Sequence, residues 1–300
     1  MRDSLRRRLA GTAVALSAAA SLAGCFGGGQ PSQAKAAATE AAAKPSPSAK
    51  PTPKWDTRPA SLAALGDSIT RGFDACGVLK DCPDVSWATG SSTSVDSVAS
   101  RLLANPADSW NLAESGARMS GLTAQVEQAV AKQPEQVTIL MGANDACRQS
   151  VAAMTPVTDY RREFEDAMAV LHRRLPKAQV LVASVPDLKR LWSVGRENPL
   201  GREVWKLGIC QSMLADPVSA SAAADARRNA VQDQVVAYNA VLKDVCGQYT
   251  KCRYDGGAVF DYSFTMGELS PWDWFHPSAQ GQAQLARIVY RAITSSTVTE

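Results

Sequence analysis

The chain has 300 residues, with Lys+Arg 32 against Asp+Glu 29 and a formal net charge of +3. Four of those cations, Arg2, Arg6, Arg7 and Arg8, and one anion, Asp3, precede Cys25, so from Cys25 onward the charges balance. A neutral surface gives no electrostatic basis for binding nucleic acid, which rests on many Lys/Arg contacts to phosphate.

Residues 1–24 read as an export signal, with Arg6-Arg7-Arg8 as the basic start and 9–20 as the apolar run. That run is too short to cross a bilayer, which takes about 20 apolar residues as a helix. Its end, Leu22-Ala23-Gly24-Cys25, resembles the bacterial lipobox, in which cleavage precedes the cysteine and the new N-terminal cysteine carries lipid. Ordinary cleavage after a small residue is the alternative. The arginine pair also fits twin-arginine export. The expected location is the outer face of the cell membrane, on the extracellular side, with the chain anchored through lipid on Cys25. Over 25–54 the composition turns to Gly, Ala, Lys, Ser and Pro, as in Gly27-Gly28-Gly29 and Lys44-Pro45-Ser46-Pro47-Ser48. Such a segment cannot bury a core and is expected to be a disordered tether. Residues 55–300 suffice for one domain with a substantial core.

Within that domain short apolar runs alternate with longer amphipathic ones, the pattern of parallel strands joined by helices. Strands are expected at 61–65, 109–113, 137–141, 179–185 and 252–260, and helices at 119–132, 160–174, 227–246 and 278–294. In the second of these helices Phe164, Met168 and Leu171 share one face. Residues 186–226 read as irregular. Ligands of a doubly wound sheet bind outside the carboxyl ends of the strands, so reactive groups should follow strands directly.

They do. After the first strand comes Gly66-Asp67-Ser68-Ile69-Thr70, a tight turn with a serine where a helix would begin; alone, Asp and Ser would be ordinary helix caps. After the second comes Asn111-Leu112-Ala113-Glu114-Ser115-Gly116-Ala117, which offers the unencumbered N–H of Gly116. After the third comes Gly142-Ala143-Asn144-Asp145, whose Asn144 amide can donate to an oxygen anion. Before the last helix stands Trp272-Asp273-Trp274-Phe275-His276-Pro277. One turn brings the Asp273 carboxylate to the imidazole three residues later, fixing its tautomer and stabilising an imidazolium. The other histidine, His172, precedes Arg173-Arg174 on an expected solvated helix face, which makes His276 the better base.

With Cys25 set aside, the remaining six of the seven cysteines form an even set suited to an oxidising compartment. Chain proximity favours Cys76–Cys82 and Cys246–Cys252, which leaves Cys147 for Cys210. No pair has the short C-x-x-C spacing of zinc sites, and His172 and His276 are the sole histidines, so no metal is expected.

Taken together, the four segments resemble the SGNH, or GDSL, hydrolase family, whose blocks run serine, glycine, asparagine, histidine along the chain. The resemblance covers about Leu62 to the C-terminus. It implies a flavodoxin-like three-layer α/β/α fold with a parallel sheet of about five strands. Carried over, it makes Ser68 the nucleophile, His276 the general base and Asp273 its orienting acid, with the Ser68 N–H, the Gly116 N–H and the Asn144 side chain as oxyanion hole. It also implies an extracytoplasmic hydrolase of acyl esters, lipid or phospholipid among them, working through an acyl-serine intermediate with neither metal nor organic cofactor. A non-catalytic glycan- or lipid-binding module and an acyltransferase are the alternatives on the same fold. Ile69 in place of the usual leucine and the bulky Phe275 before the histidine depart from the pattern without removing a reacting group. Some extracellular actinobacterial relatives use a backbone carbonyl in place of the acid, which bears on Asp273. Ser86-Trp87-Ala88-Thr89-Gly90, the Gly142 to Cys147 segment and the Trp-Phe-His-Pro end resemble the branch holding extracellular actinobacterial lipases and phospholipase B-like enzymes, where three disulfides are usual. Trp87, Trp272, Trp274 and Phe275 are candidates to line an acyl pocket, core packing being the competing reading. A monomer is expected.

Overall fold

The computed structural model describes residues 55–295. The expected export signal, the lipid site at Cys25 and the tether up to residue 54 lie outside the described residues. All described residues belong to the second of two compact units, 51–300.

Five strands, β1 (Leu62–Gly66), β2 (Ser109–Asn111), β3 (Gln136–Leu140), β4 (Gln179–Val182) and β5 (Cys252–Tyr254), form one parallel sheet in the order β2-β1-β3-β4-β5. Leu62 stands opposite both Ser109 and Gln136, Gln136 opposite Gln179, and Val180 opposite Cys252. The three central strands are buried at every position and the two edge strands are half-buried, as a parallel sheet covered on both faces requires. This is the expected flavodoxin-like α/β order, with its reversal point between β1 and β3.

The helices are α1 (Ser68–Arg71), α2 (Val98–Leu102), α3 (Leu122–Lys132), α4 (Ala143–Ala146), α5 (Val157–Arg174), α6 (Leu188–Gly195), α7 (Pro199–Trp205), α8 (Gln211–Leu214), α9 (Ala222–Cys246), α10 (Ala258–Asp261) and α11 (Ala279–Thr294). Right-handed crossovers place a leftward step, β1 to β2, and the later rightward steps on opposite faces. Accordingly α3, α5 and α9 pack in succession on one face, while α2 packs against α11. No helix among the described residues is long and apolar enough to cross a membrane.

The structure departs from the sequence expectation in two places. Strands β2 to β5 end sooner than expected, whereas β1 runs on to Gly66. Beyond β4 the Asn239 side chain takes over as partner, accepting from the Val185 N–H at 2.8 Å and donating to its carbonyl at 3.1 Å. Beyond β5 the Asp255 carboxylate accepts from the N–H groups of Gly257 and Val259 and from Ser184 Oγ, turning the chain into α10. The second departure is 186–226, read as irregular, which holds α6, α7, α8 and the first turn of α9. Their caps were legible: Asp187 accepts from the Arg190 N–H, Asn198 caps α7 ahead of Pro199, and Ser221 caps α9.

Candidate active site

Gly66 closes β1 at a point where the chain passes close to its neighbours. A Cβ there would come within 2.5 Å of the Leu140 carbonyl oxygen and of Thr70 Oγ1. Its N–H and carbonyl are both held by the Gln125 side chain of α3, at 2.8 and 2.9 Å. Asp67 then caps α1, accepting from the Ile69 N–H at 2.9 Å. Ser68 is the first residue of α1, and its Oγ lies 3.0 Å from His276 Nε2.

The loop ahead of α11 holds the imidazole. Asp273 Oδ2 sits 2.5 Å from His276 Nδ1, and its Oδ1 accepts from the Phe275 and His276 N–H groups at 3.0 Å each. The buried Trp205 indole donates to the Asp273 carbonyl at 2.7 Å. The Ser270 N–H donates to the His276 carbonyl at 2.7 Å, closing the loop on itself. Phe73 meets the imidazole edge-on, with ring centroids 5.1 Å apart.

Burial alone would push the Asp273 carboxyl up, but the charge of His276 and the hydrogen bonds it accepts outweigh that and hold it below the ordinary carboxylate value. For His276 burial pulls down, and the Asp273 charge and hydrogen bond, with Asp74 and Asp67 behind them, carry the imidazole above its ordinary value.

Gly116 lies after β2 with φ of 82°, a conformation glycine adopts at no steric cost. Asn144, on α4 after β3, donates through Nδ2 to the Ala117 carbonyl at 3.0 Å, so the two sheet-end segments are bonded together. Asp145 adds a second clamp, accepting from the Met119 N–H at 2.9 Å and from Thr155 Oγ1 at 2.7 Å; burial pushes its carboxyl up to about 6. The N–H groups of Ser68 and Gly116 have no hydrogen-bond acceptor among the described residues.

Ser68, Asn144 and His276 face a cavity of about 100 Å³ whose apolar wall is Leu188 and Leu191 of α6, Ile209, Phe275 and the Cys147–Cys210 pair. Of the four aromatic residues considered for this wall, only Phe275 reaches it. Trp87 is wholly buried in the core, Trp272 is 44% exposed, and Trp274 packs over Gly201. His172 is exposed on α5 beside Tyr249. The cysteines are bonded as Cys76–Cys82, Cys147–Cys210 and Cys246–Cys252.

Ser68, Asp273, His276 and Asn144 are thus brought together beyond the sheet, and Gly116 lies on the segment after β2 that Asn144 bonds at Ala117. Sequence reasoning missed Gln125, Trp205 and the α6 wall. A glutamine among the apolar Leu122, Val126 and Ala129 of one buried helix face was the available signal for the first. A hydroxyl bonded to an imidazole whose other nitrogen meets a buried carboxylate can be deprotonated as it attacks an electrophile.

The family model described as GDSL-like Lipase/Acylhydrolase matches residues 62–289. The chain is similar to phospholipase B1, membrane-associated, from Rattus norvegicus, with 27% identity over an alignment of 185 residues and a coverage of 47% of this chain. That match spans only 13% of the relative's length. Among solved structures the chain is similar to one described as a GDSL-like lipase from Parabacteroides merdae, with a TM-score of 0.50 and 18% identity over 81% of this chain and 99% of that one. It is also similar to an extracellular lipase from Streptomyces rimosus, with a TM-score of 0.46 and 18% identity over 78% and 99% of the two chains.

Proposed function

The chain belongs to the GDSL-like lipase/acylhydrolase family, a family of carboxylic ester hydrolases, and from that premise we propose that it cleaves acyl esters at Ser68 through an acyl-serine intermediate. The observation that carries this reading is the 3.0 Å contact from Ser68 Oγ to His276 Nε2, continued from Nδ1 to Asp273.

In this mechanism Ser68 Oγ attacks the ester carbonyl carbon as its proton passes to His276 Nε2. The carbonyl oxygen becomes an anion, met by the N–H groups of Ser68 and Gly116 and by the second N–H of the Asn144 amide. Each such donor is typically worth about 2.7–4 kcal/mol. Asp273 keeps the proton on Nδ1 before the attack and stabilises the imidazolium after it. Collapse of the adduct breaks the ester C–O bond, and His276 gives its proton to the departing alcohol. Water, deprotonated by His276, then attacks the acyl-serine carbonyl, releasing the acid and restoring Ser68.

The reading extends to location and substrate. Residues 1–24 serve as export signal, Cys25 as the lipidated residue and 25–54 as the tether of a domain on the extracellular side of the membrane. The resemblance to a phospholipase B1 and the apolar wall of the cavity favour a lipid or phospholipid ester. The test is the intact mass of the purified, disulfide-intact protein after exposure to a fluorophosphonate, which captures activated serines whatever their natural substrate. One adduct on the wild type and none on Ser68→Ala is expected. A folded wild type that takes up no adduct would overturn the reading.

A further inference from the structure

The acid–base pair has a third ionisable neighbour. Asp74, in the segment after α1, is 2% exposed. One of its carboxylate oxygens, one of Asp273 and one ring nitrogen of His276 all lie within 4.8 Å of one another. Its backbone is fixed from both sides: the N–H donates to the Lys80 carbonyl at 2.9 Å, and the carbonyl accepts from Ser270 Oγ at 2.7 Å. Asp74 is thereby tied to the Cys76–Cys82 loop and to the loop that carries His276.

Its Oδ1 is buried with no hydrogen-bond partner among the described residues. Burying a carboxyl group without full compensation is costly, and such groups concentrate where a site uses them. The charged groups that bear on the imidazole are Asp273 from its own loop, Asp74 from the segment after α1, and Asp67 from the turn between β1 and α1. All three are acids.

We propose that Asp74 is a positioning residue of the reaction, a second carboxylate that stabilises the His276 imidazolium through space and acts on the ester only through His276. The inference rests on the reading of His276 as base. Asp273, with three N–H donors, holds the imidazole by direct hydrogen bonding. Asp74 adds charge without a bond to the ring. Its own carboxyl is pushed up, by burial first and by Asp273 second, with the imidazolium opposing, so its charge is most strongly favoured when His276 is protonated.

The sign of the consequence is fixed. Removing a negative charge near His276 lowers the imidazole pKa, so the acid limb of reactivity moves to lower pH. The imidazolium formed during attack also becomes less stable, so the plateau rate falls. A residue that served only the fold would lower activity without moving the limb.

The experiment is the pH dependence of the rate at which a fluorophosphonate labels Ser68, in wild type and in Asp74→Asn. Asp74 has φ of 58°, which asparagine tolerates, and Asp74→Gly, equally compatible with that backbone, serves as a second variant should the first fold poorly. Thermal melting of each checks the fold. The expected result is an acid limb displaced downward by about one pH unit and a plateau lowered roughly tenfold. A limb that stays in place on either folded variant overturns the role of Asp74. Absence of labelling on wild type overturns the reading of the site on which it rests.

Discussion

Gln282, on α11, donates through its side-chain amide to the Ile69 carbonyl of α1 at 2.9 Å, across 213 residues of chain. Its own carbonyl accepts from the Trp87 N–H at 2.9 Å. The helix that follows His276 is thus bonded to the helix that begins with Ser68. Gln282 is wholly buried, so Gln282→Leu would leave the Trp87 N–H without an acceptor in the interior and the Ile69 carbonyl with the Gly72 N–H alone, at 3.3 Å. The expected loss of stability is about 1–3 kcal/mol, read as a lower denaturant midpoint at unchanged slope, together with slower turnover as the Ser68–His276 contact loosens. An unchanged midpoint would refute the coupling.

Asp273→Asn is expected to lower turnover by roughly 10⁴-fold. Asp273 accepts from two backbone N–H groups on one oxygen and from the imidazole on the other. An asparagine has only one acceptor oxygen, so its NH₂ must confront a donor on one side. Steady-state kinetics on any cleaved ester decides the point, and near wild-type turnover would transfer the orienting role to a backbone carbonyl.

The acid limb of wild-type kcat/KM should fall above the ordinary histidine value of about 6.5, because Asp273, Asp74 and Asp67 together outweigh the effect of burial on His276. Activity is lost as pH drops through that raised value and the base is protonated. The same shift stabilises the fold at low pH: the contribution is complete below the unfolded pKa and disappears as pH rises through the folded one. A limb below pH 6 would contradict the arrangement.

Asp67 acts in the same direction on stability. Burial pushes its carboxyl up to about 7, and its Oδ2 is buried without a partner among the described residues. The folded state therefore holds this proton more tightly than the unfolded chain, and stability declines as pH rises from about 4 to about 7. Asp67→Asn retains an oxygen for the Ile69 N–H and remains a good helix cap. It should melt higher than wild type at pH 8, by about 2–4 kcal/mol of stability, and close to wild type at pH 4. Equal melting at both pH values would rule this out.

Cys147 and Cys210 join the segment after α4 to the start of α8 and form part of the cavity wall. The bridge closes a separation of 63 residues, for which the chain-entropy contribution is about 4 kcal/mol. The double variant Cys147→Ser, Cys210→Ser should unfold at lower denaturant and show a raised KM, since the cavity wall facing Ser68 loses its tie. Wild-type stability in the variant would show that the loop is held by other contacts.

The candidate site residues were legible because each lies a few residues beyond a strand end or within one turn of its partner. Ser68 follows β1, Gly116 follows β2, Asn144 follows β3, and Asp273 precedes His276 by three residues. The alternation of apolar runs with amphipathic helices likewise determined the α/β class, since burial on both faces of a parallel sheet leaves that pattern in the chain itself. What the sequence did not disclose are partners distant in the chain: Gln125 holding Gly66, Trp205 holding Asp273, Gln282 holding Ile69, and Asp74 beside His276. It also did not disclose where β4 and β5 stop, because Asn239 and Asp255 replace strand partners only once the helices are packed. Local spacing specifies which groups share a turn or a strand end. Which buried polar atom satisfies which backbone group is settled only when the whole core closes and every unpaired donor or acceptor becomes costly.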